Sequence, residues 1–335
     1  MTATRFTELV GCRLPIQQAG MGAVAPPALV AAVSEAGGLG MLGTARGGLT
    51  PATLAMLLDE VRSRTSHAFG VNFLVSPTHL LGLHGRPPLD LACIELAARA
   101  ARVVEFFYGD PDPRLVDLAK RHGTLVSWQV GSRAEAIAAE AAGCDLIVAQ
   151  GQEAGGHVRG TTGLFPLLAE VLEVVRVPVL AAGGIGTARC VAAALAAGAE
   201  GVRIGTRFIT AREANAHPRY VEALITARAE DTIYTGAFAG GWPDAPHRVL
   251  RSCLAAAEAL TDDIVAEVSR LDGSRAPVPR LATGVADATA TGHVEAMSLW
   301  AGQSVGAVRG RQPAAEILRE LAAGLPSSED RSRGA

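Results

Sequence analysis

From the N-terminus to about residue 210, short apolar β-rich runs alternate strictly with Ala-rich helical stretches, and no other feature limits the fold so severely. The strand candidates are Leu14–Ala19, Leu39–Leu42, Phe69–Leu74, Val103–Phe107, Leu125–Val130, Leu146–Gln150, Val179–Ala182 and Gly201–Gly205. Helical patterns lie between them at Ala28–Glu35, Ala52–Arg64, Leu91–Arg99, Pro113–His122, Arg133–Ala142, Leu164–Val175 and Ala188–Ala197. Parallel strands cannot be joined by tight turns and need crossover helices, so the alternation specifies a parallel sheet. Eight strands within roughly 200 residues point to a closed (β/α)8 barrel, the TIM barrel, whose usual length is about 250 residues. Pro26-Pro27 stands at a helix start. Gly37-Gly38, Gly143 and Gly198 mark helix ends, where a left-handed residue is needed.

Past the eighth strand the pattern changes. Residues 212–230 read as helical, 231–252 as an irregular loop bearing Gly, Trp and Pro, 253–271 as another helix, and Ala314–Ala323 as the last one. The expected organisation is a barrel made of residues 1–210 and 301–325, with 211–300 as a helical and loop insertion over its mouth. A disordered tail is expected at 326–335, since Ser327 to Ala335 is polar and charged.

Composition narrows the partners. With 335 residues, 49% of them hydrophobic, the chain can fill one large barrel core. A formal charge of −3 offers no concentrated basic surface to nucleic acid. Cys12, Cys93, Cys144, Cys190 and Cys253 are scattered without a C-x-x-C pair, which argues against a metal site or a disulfide framework and for a reducing compartment. The first twenty residues include Arg5, Glu8 and Arg13 and lack a signal peptide's apolar run. The apolar stretch Cys190–Ala199 is half of the roughly 20 residues that span a bilayer. The expectation is a cytoplasmic protein acting on a small molecule, with no metal, membrane or nucleic-acid partner; a homodimer stays open.

Two glycine patterns resemble a dinucleotide fingerprint and fail its context. Gly38, Gly40 and Gly43 lead into a strand, whereas the fingerprint opens a helix. Gly20, Gly22 and Ala25 do lie between strand and helix, but the next strand ends in Thr44-Ala45-Arg46, with no acid for a ribose. A tight βα turn against a ligand is the better reading of Gly20 and Gly22. The glycine turns after strands seven and eight say more: Ala182-Gly183-Gly184-Ile185-Gly186 and Arg203-Ile204-Gly205-Thr206-Arg207 stand where this fold cradles phosphate on backbone N–H groups. At this level a flavin mononucleotide and a phosphorylated substrate look alike.

The sixth strand runs into QGQEAGGH, Gln150 to His157, which places an imidazole above the barrel mouth, and imidazole suits proton transfer near neutral pH. His67, His79, His84, His122 and His293 have no such setting. Glu153 reads equally as a second acid/base and as a carboxylate at the start of a helix. Asn72 is an odd amide at the end of an apolar strand; a flavin edge or a local turn bond would each satisfy it. Met21 reads as a mouth residue or as simple packing.

Taken in order, PIQQAGMG, FGVN, QGQEAGGH, VPVLAAGGI, GVRIGT and LWAGQSVG resemble the nitronate monooxygenase (2-nitropropane dioxygenase) family over Pro15 to Leu321. These are FMN-dependent barrels related to the flavin enoyl-ACP reductases. The resemblance implies FMN held at Asn72, Gln150, Gly155, Gly183, Gly184 and the stretch Arg203, Ile204, Gly205 and Thr206, with His157 as the active-site histidine. Met21, Gly22 and Gly156 complete the expected cofactor site. It further implies oxidation of alkyl nitronates or nitroalkanes by O2 to a carbonyl compound and nitrite. An NAD(P)H-dependent FMN reductase for an enoyl thioester or a quinone is the alternative, and a non-catalytic flavin- or phosphate-binding module is a third reading. Three departures stand out. Gln18-Ala19-Gly20-Met21 replaces the usual Gln-Ala-Pro-Met, Arg203 stands where Gln is frequent, and Glu105 stands where a small polar residue is expected.

Overall fold

The structure is a computed structural model that describes residues 3–81 and 88–325. Its main sheet comprises β1 (Ile16–Gln18), β2 (Gly40–Gly43), β3 (Phe69–Leu74), β4 (Val103–Phe107), β5 (Leu125–Val130), β6 (Leu146–Gln150), β7 (Val179–Ala182) and β8 (Gly201–Ile204). All pairings are parallel, in the order β1-β8-β7-β6-β5-β4-β3-β2. All eight expected strands are present, and the chain forms a TIM barrel. The helices between them begin on side-chain caps, among them Thr50, Asp90, Asp112, Ser132 and Thr187, each accepting from a backbone N–H of the first turn.

Closure depends on a short seam between β1 and β2. Leu39 N–H donates to the Ile16 carbonyl at 2.9 Å and Gln18 N–H to the Leu39 carbonyl at 3.0 Å. Above these bonds the strands separate, and the Gln18 side chain takes over. Its Oε1 accepts from Met41 N–H at 3.0 Å, while its Nε2 donates to the Met41 carbonyl at 3.3 Å and to the Ala19 carbonyl. The fully buried side-chain amide thus acts as a missing ladder partner.

Two apolar clusters divide the sheet's faces. Val30, Leu42, Phe106, Ile147 and Val202 belong to the large cluster between strands and helices, while Met41, Val103, Leu125, Leu146 and Leu180 fill the barrel interior. The interior cluster also contains Phe6 and Val10 of the helix Arg5–Val10, which plugs the barrel at the strands' N-terminal ends. Among the described residues no helix is long and apolar enough to cross a membrane.

After β8 the structure differs from the sequence expectation. The helix expected over 212–230 spans Pro218–Thr226. The expected loop 231–252 contains two antiparallel strands, β9 (Thr232–Thr235) and β10 (His247–Leu250), and β10 also pairs with Gly156–His157. The helix expected over 253–271 is Arg251–Ala259, followed by a hairpin of β11 (Ile264–Ser269) and β12 (Arg275–Pro279). The six residues Ile264–Ser269 are too few for periodicity to separate strand from helix, and Gly273, at φ +81°, supplies the turn that ends the strand reading. The last helix is Ala314–Ala322. The tail expected at 326–335 lies outside the described residues.

Gly40 shows how closely helix and strand approach: a Cβ there would stand 2.1 Å from the Val30 carbonyl oxygen. Gly40→Ala is expected to cost at least about 1–3 kcal/mol in urea unfolding, the usual range for overpacking. Gly236→Ala, where a Cβ meets nothing within 4 Å, should stay within about 0.5 kcal/mol of the parent.

Candidate active site at the barrel mouth

Strand register sets the floor of the site. Asn72 pairs with Glu105 and Glu105 with Ser127, while Gln17 pairs with Arg203, Arg203 with Ala182 and Ala182 with Gln150. Alternation puts these residues on the inner face, in line with Met41, Val103, Leu146 and Leu180. The lower half of the barrel is therefore apolar and its C-terminal half polar.

Glu105 is fully buried and accepts from three donors. Asn72 Nδ2 lies at 2.8 Å, Gln17 Nε2 at 3.3 Å, and the Arg203 guanidinium forms an ion pair with it. A buried carboxylate is tolerable only when paired and hydrogen-bonded, and here it is both. Glu105 and Arg203, two of the three departures from the family pattern, are each other's counter-ion. Asn72 spends its amide on Glu105. Gln17 Oε1, Ser127 Oγ and Gln150 Oε1 are buried with no hydrogen-bond partner among the described residues. Such atoms call for water or a ligand.

The two glycine turns flank this floor. Gly183 and Gly184 have φ of +106° and +70°, a conformation that favours glycine. Gly205 is different: a Cβ there would make ordinary contacts with Ala19 Cβ at 3.6 Å and Met21 Sδ at 3.7 Å. Gly156, at φ +76°, would carry a Cβ into open space. Gly22 and Gly155 have packing reasons to be glycine, since Cβ atoms there would stand 2.7 Å from the Ala45 oxygen and 2.4 Å from Gly302 N. Thr206 Oγ1 accepts from Gly302 N–H at 3.0 Å. Ile204 directs its side chain into the outer core and has only backbone to offer a ligand.

His157 stands half-buried above this floor, and its backbone carbonyl accepts from the Gln150 side-chain Nε2 at 3.0 Å. Four rings surround its imidazole. Trp242 lies at 4.0 Å between centroids and tilts by 32°, Trp300 at 5.1 Å, His247 at 5.7 Å and Tyr108 at 5.9 Å. Tyr220 fixes Trp300 by donating its hydroxyl to the Trp300 carbonyl at 2.5 Å. Tyr108 follows β4 at φ +88°, a strained value for a bulky residue, and burial pushes its phenol up to about 12. The phenol is thus a donor throughout the physiological range. Arg159 holds it there, with its guanidinium 6.0 Å over the ring and bonded to the Tyr108 carbonyl, Asp110 and Glu135.

The aromatic rim was missed in the sequence, where Tyr108, Trp242 and Trp300 lie far apart. Rarity was the available signal: aromatic residues make up 4% of the chain, with three Trp and three Tyr. His79 also touches the rim, 4.9 Å from Trp242, although nothing in its sequence setting marks it. Glu153 resolves as the carboxylate at the start of a helix, with both oxygens accepting from Leu164 N–H, at 3.1 and 3.0 Å.

The family model described as nitronate monooxygenase matches residues 3–324. A probable nitronate monooxygenase of Staphylococcus aureus (strain Newman) is 32% identical over 340 residues, covering 90% of this chain and 91% of that one. FabK from Thermotoga maritima superposes with a TM-score of 0.77 at 31% identity, covering 100% of this chain and 99% of its own. A nitroalkane oxidase from Streptomyces ansochromogenes gives 0.72 at 30% identity, with 98% and 99% covered.

The floor makes a direct prediction. Glu105→Leu leaves the Arg203 guanidinium buried without its counter-ion and should cost about 3–5 kcal/mol in urea unfolding. Glu105→Leu combined with Arg203→Met should recover most of that loss. Equal destabilisation in the single and double variants would show that the pair is not coupled.

Proposed function

This chain belongs to the nitronate monooxygenase family, and on that premise we propose that it binds FMN in the barrel mouth and oxidises alkyl nitronates or nitroalkanes with O2 to a carbonyl compound and nitrite. The observation that carries this reading is His157, its backbone held by Gln150, above a polar floor where Gln17 Oε1 and Gln150 Oε1 have no partner among the described residues.

The residues present fit the cofactor. Gln150 Oε1 and Gln17 Oε1 are buried acceptors, and an isoalloxazine edge has an N–H to offer. The turns at Gly183-Gly184 and Gly205-Thr206 present bare backbone for a phosphate. In this reading Met21, Gly22, Asn72, Gln150, Gly155, Gly156, Gly183, Gly184 and the stretch Arg203 to Thr206 hold FMN, Ile204 through its backbone alone. When bound, the flavin supplies the electron transfer.

The chain's own residues do the rest. An imidazole nitrogen of His157 takes the α-proton of a neutral nitroalkane, and the resulting imidazolium holds the anionic nitro group. The un-ionised Tyr108 phenol can donate to a nitro oxygen. Trp242 and Trp300 keep water from the imidazole, and Arg203, neutralised by Glu105, adds no net charge to the floor. Residues 211–300, which bring His247, Trp242 and Trp300, form the substrate-side insertion, and 1–210 with 301–325 form the cofactor-binding barrel. Five unpaired cysteines suit the cytoplasm.

The cofactor is tested by heat release and mass analysis, which should yield FMN. Gly205→Val should fold, because a Cβ there makes only ordinary contacts with Ala19 and Met21, yet purify with little FMN. Full FMN content in that variant would place the phosphate elsewhere. Anaerobic mixing then separates the activities through the flavin absorbance. A response to nitronate supports the monooxygenase, bleaching by NADH or NADPH supports a reductase of enoyl thioesters or quinones, and silence supports a binding module.

His157→Asn removes the base and keeps a polar side chain. It should lose neutral nitroalkane turnover by about 10²–10⁴-fold while keeping most nitronate turnover and all of its flavin. Equal losses on both substrates would make His157 a partner of the nitro group, with no role as base.

A further inference from the structure

His247 is fully buried beside the site, with none of its surface accessible. Phe238 N–H donates to its Nε2 at 3.3 Å, and its Nδ1 lies 3.0 Å from the Ala245 carbonyl. A backbone N–H can only donate and a carbonyl can only accept, so the ring is neutral and carries its proton on Nδ1. Burial favours the same state, holding His247 below the usual imidazole range. Both partners belong to the connection between β9 and β10, residues 236–246, which also carries Trp242. The ring therefore ties that connection together at two points on either side of the indole.

The backbone of His247 has a second attachment. It pairs with His157 in the antiparallel register, and Val158 N–H donates to the Pro246 carbonyl at 2.9 Å. One residue thus joins the strand that bears His157 to the loop that covers it. Trp242 is 3% exposed and lies against His157 at 4.0 Å, Tyr108 at 4.7 Å and His79 at 4.9 Å.

We propose that His247 is a positioning residue that fixes the Trp242 loop over His157, and that Trp242 thereby restricts the site to substrates whose reacting end is flat enough to lie against an indole. A nitronate, planar about its C=N bond, meets that condition, and a carbon branched beside the nitro group meets it less well. The specificity half of this inference rests on the proposed activity; the positioning half does not.

The test uses the flavin-loaded protein and four variants: His247→Leu, His247→Asn, Trp242→Leu and the double His247→Leu/Trp242→Leu. Acrylamide quenching of tryptophan fluorescence reads the loop without any turnover. His247→Leu should raise quenching over the parent. His247→Asn, which keeps a donor beside the Ala245 carbonyl, should raise it less. Quenching in the double variant should match Trp242→Leu alone, because the reporting indole is gone.

In kinetics, Trp242→Leu and His247→Leu should each raise KM for a short linear nitronate by about 3- to 10-fold, the size of a lost aromatic contact, with kcat changed less than twofold. The double variant should be no worse than either single one, and the preference for the linear over a branched nitronate should shrink in all three. Unchanged quenching in a folded His247→Leu overturns the positioning role, and so do KM effects that multiply in the double variant. If His247→Leu does not fold, His247→Asn decides the positioning role by the same quenching comparison. Failure of every protein, the parent included, to turn over a nitronate sinks the proposed activity and the specificity half with it, while the quenching result still decides the positioning half.

Discussion

An eight-stranded sheet hides its edges only if the first strand meets the second around the circle, and every other feature of this protein depends on that closure. Unpaired edge groups in a buried sheet would each forfeit a hydrogen bond. Here the outermost strands, β1 and β2, meet over two backbone bonds, and the Gln18 amide spans the gap above them. With the circle complete, the inner residues of all eight strands point at one axis, and residues distant in sequence become neighbours across it.

That convergence explains the chemistry of the floor. Glu105, Arg203, Asn72 and Gln17 come from four different strands, yet one carboxylate organises all of them. A charge placed there alone would be untenable. Placed with its counter-ion, it gives a rigid polar surface on which three further oxygens are left to bind something else. The rim is built on a different principle. Its rings come from the loop after β4 and from the segment following the barrel, and what they share is apolar area around a single imidazole.

The sequence revealed the barrel because each strand and helix leaves a local trace: a period, a capping residue, a proline or a glycine at the right end. It also revealed the glycine turns and His157, since a strand that ends in glycines says where its next side chain will sit. What it hid was every relation that exists only after closure. The pairing of Glu105 with Arg203 looked like two unrelated departures from a family pattern. Trp242 looked like a residue of an irregular loop and Trp300 like one of the LWAGQSVG motif, and the strands of that insertion passed for a loop and a helix because four to six residues carry too little periodicity to decide. Glu153 could have been an acid; only the position of Leu164 N–H shows it closing the start of a helix.

Phe6 and Val10 close the barrel's far end and the apolar side chains above them fill its lower half, so the polar floor faces the mouth alone. Whatever settles on the floor has to pass the rim before anything lodges there, and whatever lodges at the rim bars the way out for what lies beneath. Geometry alone therefore fixes an order of arrival and departure: the deeper guest enters first and leaves last. A protein shaped this way would keep an inner occupant through many exchanges of an outer one, with no latch other than the traffic above it.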